Sequence, residues 1–434
     1  MDWEESMKCR KSLWFQGAAL LLIAVTVLLA PGAGAQNQYK TLHRFKGGED
    51  GEFMYAGLVF DQNGNLYGAT TGGGAGGNGT VFKLAPKADG SWTKSVLYSF
   101  TSSGTDGANP YASLIFDQKG NLYGTTVYGG AQGSGAVFKL APKADGSWTE
   151  NVIYSFLGGK DGGNPSASLI FDQKGNLYGT TQDGGNGAPG NGTAFKLTPN
   201  ADGSWTESVL HVFSGGEDGG NPTASLIVDP AGNLYGTTFY GGGGGSCPGG
   251  ECGLVFELMP NADGTWTESV LYSFTGGTDG GNPETDLIFD PAGNMYGTTK
   301  WGGKCTFSDG CGVVFELTPN KDGSWMESVL NSFGGRDGFG PTAGLVFDAA
   351  GNLYGTTVLG GDRSLCNKSS GCGVVFKLTP NSNGKWTETV LHRFLARPGS
   401  LPYAGLVFDA SGNLYGTTFG DIRSTLGSVF EVTR

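Results

Sequence analysis

The chain has 434 residues, of which 81 are glycine and only 15% are charged, and its formal net charge is −12. That acidity argues against nucleic acid and anionic membrane surfaces as partners. The 26 Phe, 16 Tyr and 9 Trp supply the core material that a disordered glycine-rich chain lacks.

Residues 1–35 read as an export signal. Lys8, Arg10 and Lys11 form a basic region, Ala18 to Ala30 an apolar core of 13 residues, and Ala33-Gly34-Ala35 a cleavage site. A membrane helix needs about 20 apolar residues, so no stable span is expected once the signal is cleaved after Ala35. An uncleaved anchor is the alternative. Met7 is an alternative start, because Asp2 to Glu5 is acidic for such a region.

Residues 36–434 are expected to form a single domain. Tyr39-Lys-Thr-Leu-His-Arg-Phe45 opens it with a strand that matches Val390-Leu-His-Arg-Phe394 far downstream. Asn-Leu-Tyr-Gly or a close variant then recurs seven times, at Tyr67, Tyr123, Tyr178, Tyr235, Tyr296, Tyr354 and Tyr415. A period of 55 to 61 residues means one supersecondary unit per repeat.

The second repeat shows the unit. Strand a is expected over Ala112 to Asp117, and a tight turn follows in which Gly120 takes positive φ. Strand b runs Asn121 to Thr126, a Gly-rich loop leads to strand c at Ala136 to Leu140, and strand d runs Trp148 to Phe156. Four short antiparallel strands per repeat of this length indicate a propeller blade.

The Trp-led strand d occurs six times, at Trp92, Trp148, Trp205, Trp266, Trp325 and Trp386. The last repeat stops at strand c, Val429 to Thr433, so the Tyr39 to Phe45 strand is expected to complete it. The fold predicted is therefore all-β: a seven-bladed β-propeller closed by its N-terminal strand, which leaves no open edge.

Six cysteines form three close pairs, Cys247 with Cys252, Cys305 with Cys311 and Cys366 with Cys372, each in the b–c loop of consecutive repeats. Local disulfides in an oxidising compartment are expected. A thiolate metal site is the alternative, but four ligands on separate blades would struggle to converge. Cys9 lies in the signal segment.

The a–b turn keeps one length throughout, whereas the b–c loop varies from 10 residues (Thr71 to Val81) to 18 (Thr357 to Val375). Function is expected on the variable face, formed by the b–c and d–a loops. Departures from the repeat supply the candidates. Glu284 and Asp286 lie two apart on strand a, on one face and near the axis, as an acid pair or a cation site. Tyr128, Tyr240 and Trp301 follow the Thr-Thr of repeats two, four and five, where aromatic rings suit stacking on sugars or peptides.

His43, His211 and His392 occupy a strand d position that other repeats fill with Tyr or Asn, and so read as packing residues. The aspartates before each a–b turn (Asp61, Asp117, Asp172 and their equivalents) read as turn formers. So do Asp106, Asp161, Asp218, Asp279 and Asp337 in the d–a loops. Ca²⁺ is the one cofactor the acids suggest, without an Asp-x-Asp-x-Asp loop to support it. No Gly-x-Ser-x-Gly, His-Glu-x-x-His or phosphate-loop motif occurs.

The repeated Leu-Ile-Phe-Asp-x-x-Gly-Asn-Leu-Tyr-Gly-Thr-Thr, with Val-Phe-Lys-Leu-Thr-Pro after the Gly-rich loop, resembles the bacterial GloVer (choice-of-anchor) tandem-repeat proteins over Tyr39 to Arg434. Gly-Asn-Leu-Tyr is also distantly similar to NHL-type propeller repeats. The resemblance implies a bacterial exported protein without a defined activity and without catalytic residues to carry over. Such proteins commonly end in a surface-anchoring tail, which this sequence does not show, so secretion or a periplasmic location is expected. The expected role is a monomeric binding or interaction module for a carbohydrate or a cell-surface component. The rival is an extracytoplasmic lyase or hydrolase acting at the loop face.

Overall fold

The computed structural model describes residues 38–434 apart from 102, 186–189, 306–309, 363, 365, 367–370, 397–398 and 421–424. The expected export signal lies outside the described residues. Seven four-stranded antiparallel sheets make the blades of a propeller, each with strand order a-b-c-d. In the second blade these strands are Ile115–Phe116, Leu122–Thr126, Ala136–Pro142 and Trp148–Ser155.

The N-terminal strand Tyr39–Arg44 pairs antiparallel with Ser428–Val432 and becomes strand d of the last blade, as its sequence match predicts. Beyond the 28 blade strands, one two-residue ribbon joins Gly107–Ala108 to Tyr128–Gly129.

Strand a is shorter than the sequence suggests. Only two residues pair with strand b in each blade, for example Ile115 with Tyr123 and Phe116 with Leu122. The residues before them leave the ladder for the axis and bond sideways to the next blade. Gly57 N–H donates to Ser113 Oγ (2.9 Å), Ser113 N–H to Ser168 Oγ (3.0 Å) and Ser168 N–H to Ser225 Oγ (3.1 Å).

The repeated motif is explained by packing. The glycine of Asn-Leu-Tyr-Gly lies under the strand c phenylalanine: a Cβ on Gly124 would sit 2.6 Å from Phe138 Cζ and 2.9 Å from Leu114 Cδ2. The same phenylalanines link the blades. Phe100 at the end of one strand d meets Phe138 of the next blade edge-on at 5.1 Å, and Phe394 meets Phe430 in the same way. The first Thr of Thr-Thr ties neighbouring blades, as Thr125 Oγ1 donates to Ala167 O (3.1 Å). Thr417 Oγ1 donates to Ala56 O (3.0 Å) across the closing seam.

The turn aspartates behave as the sequence predicts. Asp117 Oδ1 accepts the N–H groups of Lys119 and Asn121, and Oδ2 accepts Asn121 Nδ2 and Tyr123 Oη. The d–a loop aspartates act differently: they reach back to close their own loop. Asp161 Oδ2 accepts Leu157 N–H (2.9 Å) and Tyr154 Oη (3.1 Å).

Candidate functional site

Strand a and the residues before it line the axis in tiers. The tier nearer the d–a loops is Tyr55, Tyr111, Ser166, Thr223, Glu284, Thr342 and Tyr403, one residue per blade. Two residues further on comes a tier of small side chains, Gly57, Ser113, Ser168, Ser225, Gly344 and Gly405, completed by Asp286. Both predicted acids therefore lie on the axis, two residues apart.

The upper tier is divided by chemistry. Tyr55 stacks on Tyr111 with ring centroids 4.5 Å apart, and Tyr403 lies 4.9 Å away on its other side. Phe419 closes on Tyr55 at 4.8 Å and on Phe53 at 4.9 Å. Burial and the neighbouring tyrosines push the Tyr55 hydroxyl up to about 12. Opposite this aromatic arc stand Ser166, Thr223 and Thr342, whose hydroxyls are buried and have no hydrogen-bond partner in the protein. Glu284 completes the polar arc. It pairs with Lys300 (3.0 Å), whose ammonium also lies 5.6 Å from the Phe239 ring and 5.7 Å from the Trp301 ring.

Asp286 sits one tier below. It lines a cavity of ≈ 340 Å³ whose other walls are small and aliphatic side chains, Leu169, Ile170 and Ile227 among them. Its Oδ1 accepts Ser225 N–H at 2.6 Å, the place that a serine hydroxyl takes in the earlier blades. Burial holds its carboxyl above the ordinary range against that hydrogen bond. Glu284 and Asp286 are thus engaged with different partners and do not bond to each other. Among the described residues, no three His, Cys, Asp or Glu side chains converge to hold a metal ion.

The predicted aromatic trio is spread around the loop face. Tyr128 is 52% exposed and lies near Tyr111, while Tyr240 is 39% exposed and packs on Phe239. Trp301 is half-buried against Phe339 at 5.6 Å. Each bridges to a d–a loop, at Ala108, Gly220 and Gly281 respectively. The trio makes no mutual ring contact; Tyr55, Tyr111 and Tyr403 make the contiguous cluster instead. Aligning the repeats at strand a shows those three as large residues where other blades carry Ser, Thr or Glu.

The three cysteine pairs are disulfides, with Cα separations of 5.3 Å for Cys247–Cys252, 5.9 Å for Cys305–Cys311 and 5.8 Å for Cys366–Cys372. The histidines pack as predicted. His43 bonds Asp50 (3.1 Å), His211 lies 3.4 Å from Asp218, and His392 stacks on Tyr39 at 4.0 Å. Burial lowers the His392 imidazole to about 4.

The model of the Gloeobacter/Verrucomicrobia repeat matches residues 29–247 and 245–434. The chain belongs to this family. No curated protein matches it. Within this chain, the residues that recur from blade to blade hold the repeat: Gly124 under Phe138, Asp117 in its turn and, in every blade but the first, a threonine at the place of Thr125. The tyrosine arc, the Glu284–Lys300 pair and Asp286 are what single blades add to it. The resemblance drawn from the motif is borne out, and so is the propeller.

Proposed function

We propose that the protein is an exported binding module that holds a carbohydrate at the axial mouth of its loop face. The observation that carries this reading is the divided upper tier, with stacked Tyr55, Tyr111 and Tyr403 on one side and Glu284, Ser166, Thr223 and Thr342 on the other. A sugar ring has an apolar C–H face that stacks on aromatic rings and an edge of hydroxyls that need partners. Tyr128 extends the aromatic surface outward beside Tyr111, Tyr240 and Trp301 add aromatic rings on the polar side, and Glu284 and Asp286 supply acceptors at the axis. Three disulfides suit an oxidising compartment, and no helix among the described residues is long and apolar enough to cross a membrane. Secretion or a periplasmic location, with the signal in residues 1–35 removed, fits both.

The test is a glycan-array screen of residues 36–434, followed by titration of the best glycan. Tyr111→Ala and Trp301→Ala should each weaken binding, Tyr111→Ala by about tenfold as expected for a central aromatic contact. Thermal unfolding would confirm that each variant folds. An array without any bound glycan, or unchanged affinity in both variants, would overturn the reading.

A further inference from the structure

A series of cavities lies on the opposite face, between the a–b turns of adjacent blades. One of ≈ 510 Å³ separates blades one and two, and another of ≈ 460 Å³ separates blades three and four. A third, ≈ 370 Å³, lies between the turns of blades two and three. These volumes fall within the roughly 300–1,000 Å³ typical of small-ligand sites.

The two larger grooves share one design. A strand d tryptophan of the following blade forms one wall: Trp148 in the first and Trp266 in the second. The motif tyrosine of the preceding blade stands edge-on to it, at 6.2 Å for Tyr67–Trp148 and 6.3 Å for Tyr178–Trp266. A strand c lysine covers that tyrosine, Lys83 at 5.6 Å and Lys196 at 5.7 Å. The seam between blades two and three repeats this arrangement with Lys139, Tyr123 and Trp205.

Each of the two larger grooves is lined by two aspartates and two lysines, Asp61, Asp117, Lys83 and Lys119 in the first and Asp172, Asp229, Lys174 and Lys196 in the second. The aspartate carboxylates are consumed within their turns: Asp61 accepts the N–H groups of Asn63 and Asn65, the Asn65 amide and Tyr67 Oη. Among the described residues, Lys83, Lys139 and Lys196 enter no ion pair, in a chain of net charge −12. The other blades show the contrast. Blades four, five and seven carry Glu257, Glu316 and Glu431 in the lysine's place, and there the tyrosine hydroxyl donates to the glutamate at 2.7, 2.7 and 3.0 Å. Blade six keeps the lysine, with Lys377 5.7 Å from the Tyr354 ring, but Arg434 stands there in place of the tryptophan, so the set of lysine, tyrosine and tryptophan is a property of three consecutive seams.

We infer that these three seams form a second binding site, separate from the loop face, for a polymer of acidic sugars. The two larger grooves each offer an indole for the C–H face of a sugar, amides at the rim for hydroxyls, and ammonium groups outside any ion pair for a carboxylate. Two such grooves, with the Lys139–Tyr123–Trp205 seam between them, suit a chain that places carboxylates at regular intervals, so affinity should rise with chain length.

The probe is oligogalacturonate, titrated calorimetrically into residues 36–434 beside a neutral oligosaccharide of equal length and a DNA oligonucleotide. The decisive variant is Lys83→Glu/Lys139→Glu/Lys196→Glu, which gives these seams the residue that blades four, five and seven already carry. Oligogalacturonate should bind alone among the three probes and weaken as salt rises, and the triple variant should bind it at least about tenfold more weakly. Tyr111→Ala should leave this binding unchanged, which separates the outcome from that of the loop-face site. No binding of oligogalacturonate, equal binding of the neutral chain or the DNA, or full binding by the folded triple variant would overturn the inference.

Discussion

Gly124 shows how a single position enforces the blade. Nothing about its backbone demands glycine, since its φ lies outside the left-handed region. The demand comes from Phe138, whose ring would lie 2.6 Å from any added Cβ. Phe138 and Leu114, the two side chains it would meet, are both buried, so neither has room to withdraw. Gly124→Ala should therefore destabilise the protein by about 1–3 kcal/mol as an overpacked core. Chemical denaturation beside the unchanged protein would measure this. A variant as stable as its parent would mean that the ring shifts freely. From the sequence, this glycine reads as one residue of strand b; its reason becomes visible only when strand c is laid over strand b.

The element scale brings out strand d, where a row of acids meets the preceding blade. Glu150, Glu207, Glu268, Glu327 and Glu388 each bury one carboxyl oxygen that has no hydrogen-bond partner. Burial first, and then an aspartate of the preceding d–a loop, pushes the first four carboxyls up to about 7 and Glu388 up to about 8. Asp106 and Tyr98 face Glu150, and Asp161 and Tyr154 face Glu207. Asp218, itself beside His211, faces Glu268; Asp279 and Tyr272 face Glu327; Asp337, Arg393 and Asn331 face Glu388. One further seam resolves the conflict with a cation, because Lys94 takes the glutamate's place and bonds Asp50 Oδ1 at 3.0 Å.

An acid whose folded-state value lies above its unfolded value binds more protons when folded. Its favourable contribution is complete below the ordinary carboxylate range near 4.5 and is lost as pH rises through about 7. Stability should therefore fall between these values. Replacing all five glutamates with glutamine should flatten that slope, as read from thermal unfolding across the range. An equal slope in both proteins would place the pH dependence elsewhere. This row is not legible from sequence, since the Trp-x-Glu spacing looks like an exposed strand edge; only the docking of one blade on the next buries it. The disulfides are legible for the opposite reason, because their partners lie within one loop.

At the scale of the whole molecule, the ring depends on how its two ends meet. The swap of the N-terminal strand into the last blade follows from counting Trp-led strands, but the count does not say what replaces the missing tryptophan at that seam. At five other seams a tryptophan stands edge-on to the motif tyrosine of the previous blade, as Trp148 does on Tyr67. Between blades six and seven the guanidinium of Arg434 takes that place, 4.9 Å from the centre of the Tyr354 ring and 4.9 Å from that of Phe408. It pairs with Asp348 at 2.8 Å and bonds Tyr354 Oη and Gly412 O. Hydrogen bonds from Asn352, and then the pairing with Arg434, hold the Asp348 carboxyl well below the ordinary range. On the other side of the strand, Tyr39 stacks on His392 where other seams place a glutamate. Arg434→Ala should remove the ring contact and the ion pair together, at a cost of about 1–2 kcal/mol. The loss should concentrate at the seam. Hydrogen exchange of the amides that pair Tyr39–Arg44 with Ser428–Val432 should quicken, while amides in the fourth blade stay protected. Uniform quickening around the ring would show that the seven blades open as one unit and that Arg434 is no local clamp.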